Sequence, residues 1–273
     1  GNAVATLDST SVLYSGLIAG DTFSGTYTGA FNNANAGTGK TVTITPTYTG
    51  ADVSNYSVTD HSTITADVAV KVLTATASTA NKTYDGNNTA TTTLTFTGLV
   101  GSETLGQTVG STFNNKNVGT GKSVTVNSIT LADGTNGGLA ANYSISTGQT
   151  TTADVTAKAL SVSGITASNK TYDGNTVATL NTGSVTYTGL VSGDVFNGTY
   201  TGAFSDKNVG TGKTVTITPS YTGADVSNYS VTDHATITAN ITAKALTVSG
   251  ITAANKGYDC LLYTSPSPRD VLR

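Results

Sequence analysis

Lys170-Thr171-Tyr172-Asp173-Gly174-Asn175 occurs a second time, letter for letter, as Lys82-Thr83-Tyr84-Asp85-Gly86-Asn87. It starts again at Lys256-Gly257-Tyr258-Asp259, and Gly1-Asn2 carry its last two letters. The copies lie 85, 88 and 86 residues apart, so the 273 residues form an array and not the one or two domains that length alone suggests. Phased on the motif, the modules are 1–85, which lacks its first strand, then 86–173 and 174–259, with 260–273 left over. The first and third modules align without a gap at an offset of 173: Phe31 with Phe204, Tyr56 with Tyr229, His61 with His234, Lys71 with Lys244. The second is divergent, three residues shorter before Gly98-Leu99 and five longer between Lys122 and Asn142. Both changes fall in Gly/Asn/Thr-rich stretches, where loops absorb length.

Within a module the apolar pattern has period two. In Lys213-Thr-Val-Thr-Ile-Thr218, Val215 and Ile217 point one way and the threonines the other, as in a strand with one buried face. In 196–204, Phe196, Gly198, Tyr200, Gly202 and Phe204 share a face, and glycines between aromatics leave room for rings to cross the backbone. Turn signals at Asp206-Lys-Asn-Val-Gly-Thr-Gly212, Tyr221-Thr-Gly-Ala-Asp225 and Asp173-Gly174 separate six to eight expected strands. The expected fold is all-β, a tandem array of three immunoglobulin-like β-sandwich modules. β-grasp-like modules are the alternative, with a helical turn at 189–194 as their helix.

Charged residues make up 11% of the chain and the formal net charge is -3, which argues against an electrostatic nucleic-acid footprint. No apolar run reaches membrane-spanning length, and any export signal is expected upstream of this sequence. The single cysteine, Cys260, rules out a disulfide framework within the chain. It belongs to a final stretch, 260–273, that also holds both arginines and resembles a translated sequencing adapter; this tail is expected to be non-native.

Lys-Thr-Tyr-Asp-Gly-Asn, followed about 20 residues later by Gly-Leu-Val-Ser-Gly-Asp and about 55 later by Ser-Asn-Tyr-Ser-Val, resembles the YDG-type repeat of large bacterial surface exoproteins, relatives of filamentous haemagglutinin. The resemblance covers 1–259. It implies an extracellular repeat region of an adhesin-like protein on the outer face of a Gram-negative bacterium, and it carries over no catalytic residue.

The motif residues Lys82, Tyr84, Asp85, Gly86, Lys170, Tyr172, Asp173, Gly174, Lys256, Tyr258 and Asp259 are expected to be structural: a buried tyrosine, its hydroxyl bonded to nearby backbone, locks an Asp-Gly turn. A calcium site at the aspartates is the rival, weakened by the lack of any local Asp-x-Asp run. His61 and His234 beside Asp60 and Asp233 have no accompanying nucleophile. Glu103 is the only glutamate. The Gly-Thr-Gly-Lys segments at 37–40, 119–122 and 210–213 lack the spacing and helix of a phosphate loop and are expected to be hairpin turns. An isopeptide crosslink at Lys71, Lys158 or Lys244 would need a buried carboxylate beside it. No catalytic, cofactor or metal residue is assigned. The partners expected are neighbouring repeats of the same longer chain; an adhesive module for a host glycan or surface protein is the alternative, which exposure of Tyr27 and Tyr200 would favour and their burial disfavour.

Overall fold

A computed structural model describes residues 1–258. Its contacts divide into two compact units: Gly1–Gly164 with Val185–Thr199 and Pro219–His234, and Ile165–Ser184 with Tyr200–Thr218 and the stretch from Ala235.

In the first unit a four-stranded antiparallel sheet has the order Val4–Ala5, Ser24–Phe31, Gly37–Thr49, Thr63–Val68. A five-stranded sheet repeats that order as Thr89–Ala90, Leu105–Phe113, Gly119–Asp133, Thr150–Thr156 and adds Lys82–Thr83, parallel to the last. The same five strands recur as Val177–Ala178, Asn197–Phe204, Gly210–Thr222, Thr236–Thr242 and Lys170–Thr171. The KT of the motif is thus the edge strand of each five-stranded sheet, and Gly86 and Gly174 turn the chain just after it at a φ of 84°.

A second set of strands lies outside these sheets. Thr74–Thr79 pairs antiparallel with Thr92–Thr97, and Lys71–Val72 pairs parallel with Tyr143–Ser144. One repeat later, Lys158–Ser163 runs between Thr186–Thr188, antiparallel, and Tyr229–Thr232, parallel. Strands at Lys71 and Lys158 therefore pair forward, with residues of the following repeat. A cut at 85/86 or 173/174 divides the chain in a different phase from the pairing, which places the seams before Lys71 and Lys158.

The period-two pattern becomes burial. Val215 and Ile217 are 0% and 5% exposed, Val124 and Val126 0% and 1%, and the intervening residues face outward or are half-buried. Each buried valine or isoleucine contributes about 1.5–3 kcal/mol relative to exposure. The glycine–aromatic face works as its spacing implies. A Cβ on Gly25 would lie 2.6 Å from the hydroxyls of Tyr14 and Tyr27, and one on Gly202 would lie 2.7 Å from Leu180. Glycine there admits the ring or leucine that crosses the strand.

Two expectations are corrected. Residues 189–194 form a turn, closed by Asp194 N–H donating to the Val191 carbonyl at 3.2 Å, so the helix of the β-grasp alternative is not formed there. The Gly-Thr-Gly-Lys segments begin long strands and carry a β-bulge between Gly37/Lys40, Gly119/Lys122 and Gly210/Lys213, with Gly39, Gly121 and Gly212 at φ 59°, 56° and 59°. Among the described residues the helical turns are 3-10, at Val53–Asn55, Ala140–Asn142 and Val226–Asn228, which the periodicity does not announce.

Candidate functional site

Lysine, aspartate and asparagine of the motif close a local strap. Lys82 Nζ lies 2.7 Å from the Asp85 carboxylate and donates to the Asn87 carbonyl and side chain and the Thr89 carbonyl, each at 3.0 Å. Lys170 does the same with Asp173 at 2.7 Å, Asn175 and Val177. Each ammonium also lies over a ring, Phe113 at 5.8 Å and Phe204 at 5.7 Å. Burial pushes the Asp85 carboxyl up, but Lys82 and the Asn87 N–H outweigh it and leave the group below the usual carboxylate range. Lys170 first, and then the Asn175 N–H, lower Asp173. These carboxylates are occupied by lysine, and no cluster of three His, Cys, Asp or Glu suited to a metal occurs among the described residues. In the third copy Tyr258 is fully exposed, and Asp259 lies outside the described residues.

The tyrosine does something different from what the sequence suggests. Tyr84 is 1% exposed, and its hydroxyl donates not to nearby backbone but to Asp194, 110 residues on, at 3.0 and 2.8 Å. The Tyr229 hydroxyl donates to the same carboxylate at 2.5 Å, and the two rings meet edge to face at 5.6 Å. Lys116 joins from the second repeat, 3.1 Å from Asp194 and 2.9 Å from Asp225, with its ammonium 5.7 Å from the Tyr84 ring centre. Asp225 also accepts the Val195 N–H at 2.9 Å. Tyr172, the matching tyrosine one repeat later, is only half-buried.

Two buried carboxylates near one another would repel, and the arrangement offsets this with one ammonium and two hydroxyls. Burial pushes the Asp194 side chain, 3% exposed, upward; the hydroxyls of Tyr229 and Tyr84 and the Lys116 ammonium together bring it below the ordinary carboxylate range. The Val195 N–H, followed by Lys116, lowers Asp225. Tyr229 is pushed up to about 12 by burial and by the Asp194 carboxylate. Lys116 is raised by Asp225, Tyr84 and Asp194.

Beside this cluster an asparagine clasps the loop of the preceding repeat. Asn228 Oδ1 accepts the Val118 N–H at 3.0 Å and its Nδ2 donates to Asn117 at 3.3 Å. At the earlier seam Asn142 accepts the Ala36 N–H at 2.8 Å and donates to Asn35 at 3.2 Å. The next residue clasps an acid within its own repeat. Tyr56, Tyr143 and Tyr229 donate to Asp21, Glu103 and Asp194 at 2.6, 2.5 and 2.5 Å, and accept the N–H of Ile18, Val100 and Val191. By itself Ser-Asn-Tyr-Ser offers only a spacing; the signal that gives it a role is the acid that recurs at positions 21, 103 and 194.

Three stretches, 1–66, 69–153 and 156–239, match the YDG domain. The chain belongs to the YDG domain family. The matched YDG domains begin and end close to the seams of the strand pairing. No curated protein and no solved structure matches the chain.

The remaining candidates of the YDG repeats stay apart. Asp60 and Asp233 accept the hydroxyls of Tyr48 and Tyr221, the latter at 2.5 Å, and among the described residues no ion pair joins either to its neighbouring histidine. Tyr27 and Tyr200 are both half-buried, which decides for neither of the two readings set on them.

Proposed function

We propose that this chain is a spacer region of a bacterial cell-surface protein of adhesin type, lying outside the cell, whose work is mechanical and not catalytic. The observation that carries this reading is the repeated seam: Asn142 and Asn228 make the same two bonds to the preceding repeat at both junctions. A joint built twice alike sets successive repeats in one fixed relation, as a stalk requires. The Tyr84–Asp194–Lys116 cluster adds a charged lock at the second seam, with its carboxylates committed to hydroxyl and ammonium donors. In this reading the partners of each repeat are its neighbours in the chain, and recognition of a host surface belongs elsewhere in the parent protein.

The test is to display the chain on a cell surface with an epitope at its far end, and to add or remove whole repeats. The reading expects epitope height, measured by interference microscopy, to change by a constant step per repeat, and adhesion to glycan-coated or cell-coated surfaces to be no greater than for the anchor alone. Height that does not follow repeat number would sink it, and so would adhesion by the repeats themselves.

A further inference from the structure

The two seams hold their loops with corresponding asparagines but differ in charge, and the difference is matched on both sides. Just before the clasped residues, Asn117-Val118 at the second seam and Asn35-Ala36 at the first, stand Lys116 and Ala34. On the receiving repeat, Asp194 and Asp225 at the second seam correspond to Glu103 and Leu139 at the first. Asp225 and Leu139 each hold the N-cap position of the 3-10 turn that ends on the clasping asparagine. Ala34 lines one small cavity with Glu103 and Tyr143, so it stands at the first seam where Lys116 stands at the second. Among the described residues Glu103 pairs with no lysine, and the Gly1 amino group lies 3.9 Å away.

Asp225 has a local duty besides Lys116. It accepts the Val195 N–H at 2.9 Å, as Asp52 accepts the Thr22 N–H at 2.8 Å in the first repeat. In the second repeat the corresponding N–H, of Thr104, donates to the Thr135 carbonyl at 3.1 Å, within the longer stretch before Asn142. Backbone has taken over the local duty there, so an acid at 139 would serve only a lysine across the seam, and the facing loop has alanine. The match runs across seams and not within repeats. The first repeat joins both acids, Asp21 and Asp52, to an alanine loop, and the second joins Glu103 and Leu139 to a lysine loop. Alanine opposite Asp194 and Asp225 would leave two enclosed carboxylates to repel each other. Lysine opposite Leu139 would bring an ammonium against an apolar side chain, with one acid, already bonded to Tyr143, to balance it.

We propose that these positions form a matching code between repeats: a repeat whose loop carries lysine seats before one that carries both acids, and a repeat whose loop carries alanine seats before one of the Glu103–Leu139 kind. The partner that each receiving face selects is thus one kind of YDG repeat, and the seams set which repeat can follow which. The code rests on the fixed seams of the spacer reading and adds to it what each seam accepts.

The test is native-state hydrogen exchange on the whole chain with two rescue pairs, read at the clasped amides. Lys116→Ala is expected to speed exchange at Val118 by about tenfold or more. Asp225→Asn, which keeps an oxygen for the Val195 N–H, should when added to it bring the rate back to within about threefold of wild type. At the first seam Leu139→Asp is expected to speed exchange at Ala36, and Ala34→Lys added to it to slow exchange again. Rescue within both pairs is the result the code requires. Effects that merely multiply in either double variant overturn it, and so does a Lys116→Ala or Leu139→Asp variant that exchanges like wild type. Failure of rescue while epitope height still follows repeat number removes the code and leaves the spacer reading standing; height that does not follow repeat number removes the spacer reading whatever the rescue shows.

Discussion

Asn228→Ala is the sharpest probe of the seam, because Asn142→Ala makes the same chemical change in a wetter place. Asn228 is 1% exposed and Asn142 is half-buried. Each variant removes the acceptor of one backbone N–H, Val118 or Ala36, and a donor to one asparagine. At the second seam the amide leaves an enclosed site, since Asn228 is 1% exposed, and the unsatisfied Val118 N–H costs about 2 kcal/mol; at the first, where Asn142 is half-buried, water can replace the lost amide and the cost is about 1 kcal/mol. The assay is native-state hydrogen exchange resolved to the loop peptides, which reads local opening without requiring one cooperative transition for the whole array. Exchange at Val118 should speed by roughly 30-fold in Asn228→Ala, and exchange at Ala36 by about fivefold in Asn142→Ala. Equal effects at the two seams would refute the burial argument, and no effect at either would refute the clasp itself.

The Tyr84–Asp194 bond predicts that Tyr84→Phe weakens the second seam by about 1.5 kcal/mol in the same exchange measurement, while Tyr172→Phe, at a half-buried ring, changes local stability by less than about 0.5 kcal/mol. Gly86→Ala and Gly174→Ala separate strain from clash. Both place alanine at a φ of 84°, costing about 1 kcal/mol, but only at Gly86 would the new Cβ lie 2.7 Å from Val191, so its loss in urea midpoint should be clearly the larger. Asp194 and Asp225 are lowered in the fold, so the unfolded chain binds more protons in acid. Their stabilisation is present above about pH 4 and lost as pH falls through the lower folded values. Lys116 is raised, so its share is present below about pH 10.5 and fades only as pH rises further. Exchange at the second seam should therefore show an acid limb that Asp194→Asn/Asp225→Asn abolishes.

The all-β character, the repeat and the buried face of each strand could be read from the sequence, because alternation in a stretch such as 213–218 is a local property. Ownership of the connecting strand could not. Leu160 and Val162 show the correct face, but the partners of Lys158–Ser163 lie up to about 70 residues further on, and no local signal says whether a strand pairs backward or forward. The motif was legible as an Asp-Gly turn but not as a lysine strap or a seam, since the acceptor of the Tyr84 hydroxyl, Asp194, sits in a Gly-rich turn that reads as a loop. Gly-Thr-Gly-Lys misled for a related reason: glycine at positive φ serves a hairpin and a β-bulge equally well.

Small-angle X-ray scattering, at concentrations where sedimentation gives the mass of one chain, tests the central claim most directly. If successive repeats are held end to end as a spacer, the radius of gyration should be about 28 Å, and it should not change on adding or chelating calcium. A value of about 18 Å, that of one compact body of this length, would contradict the account.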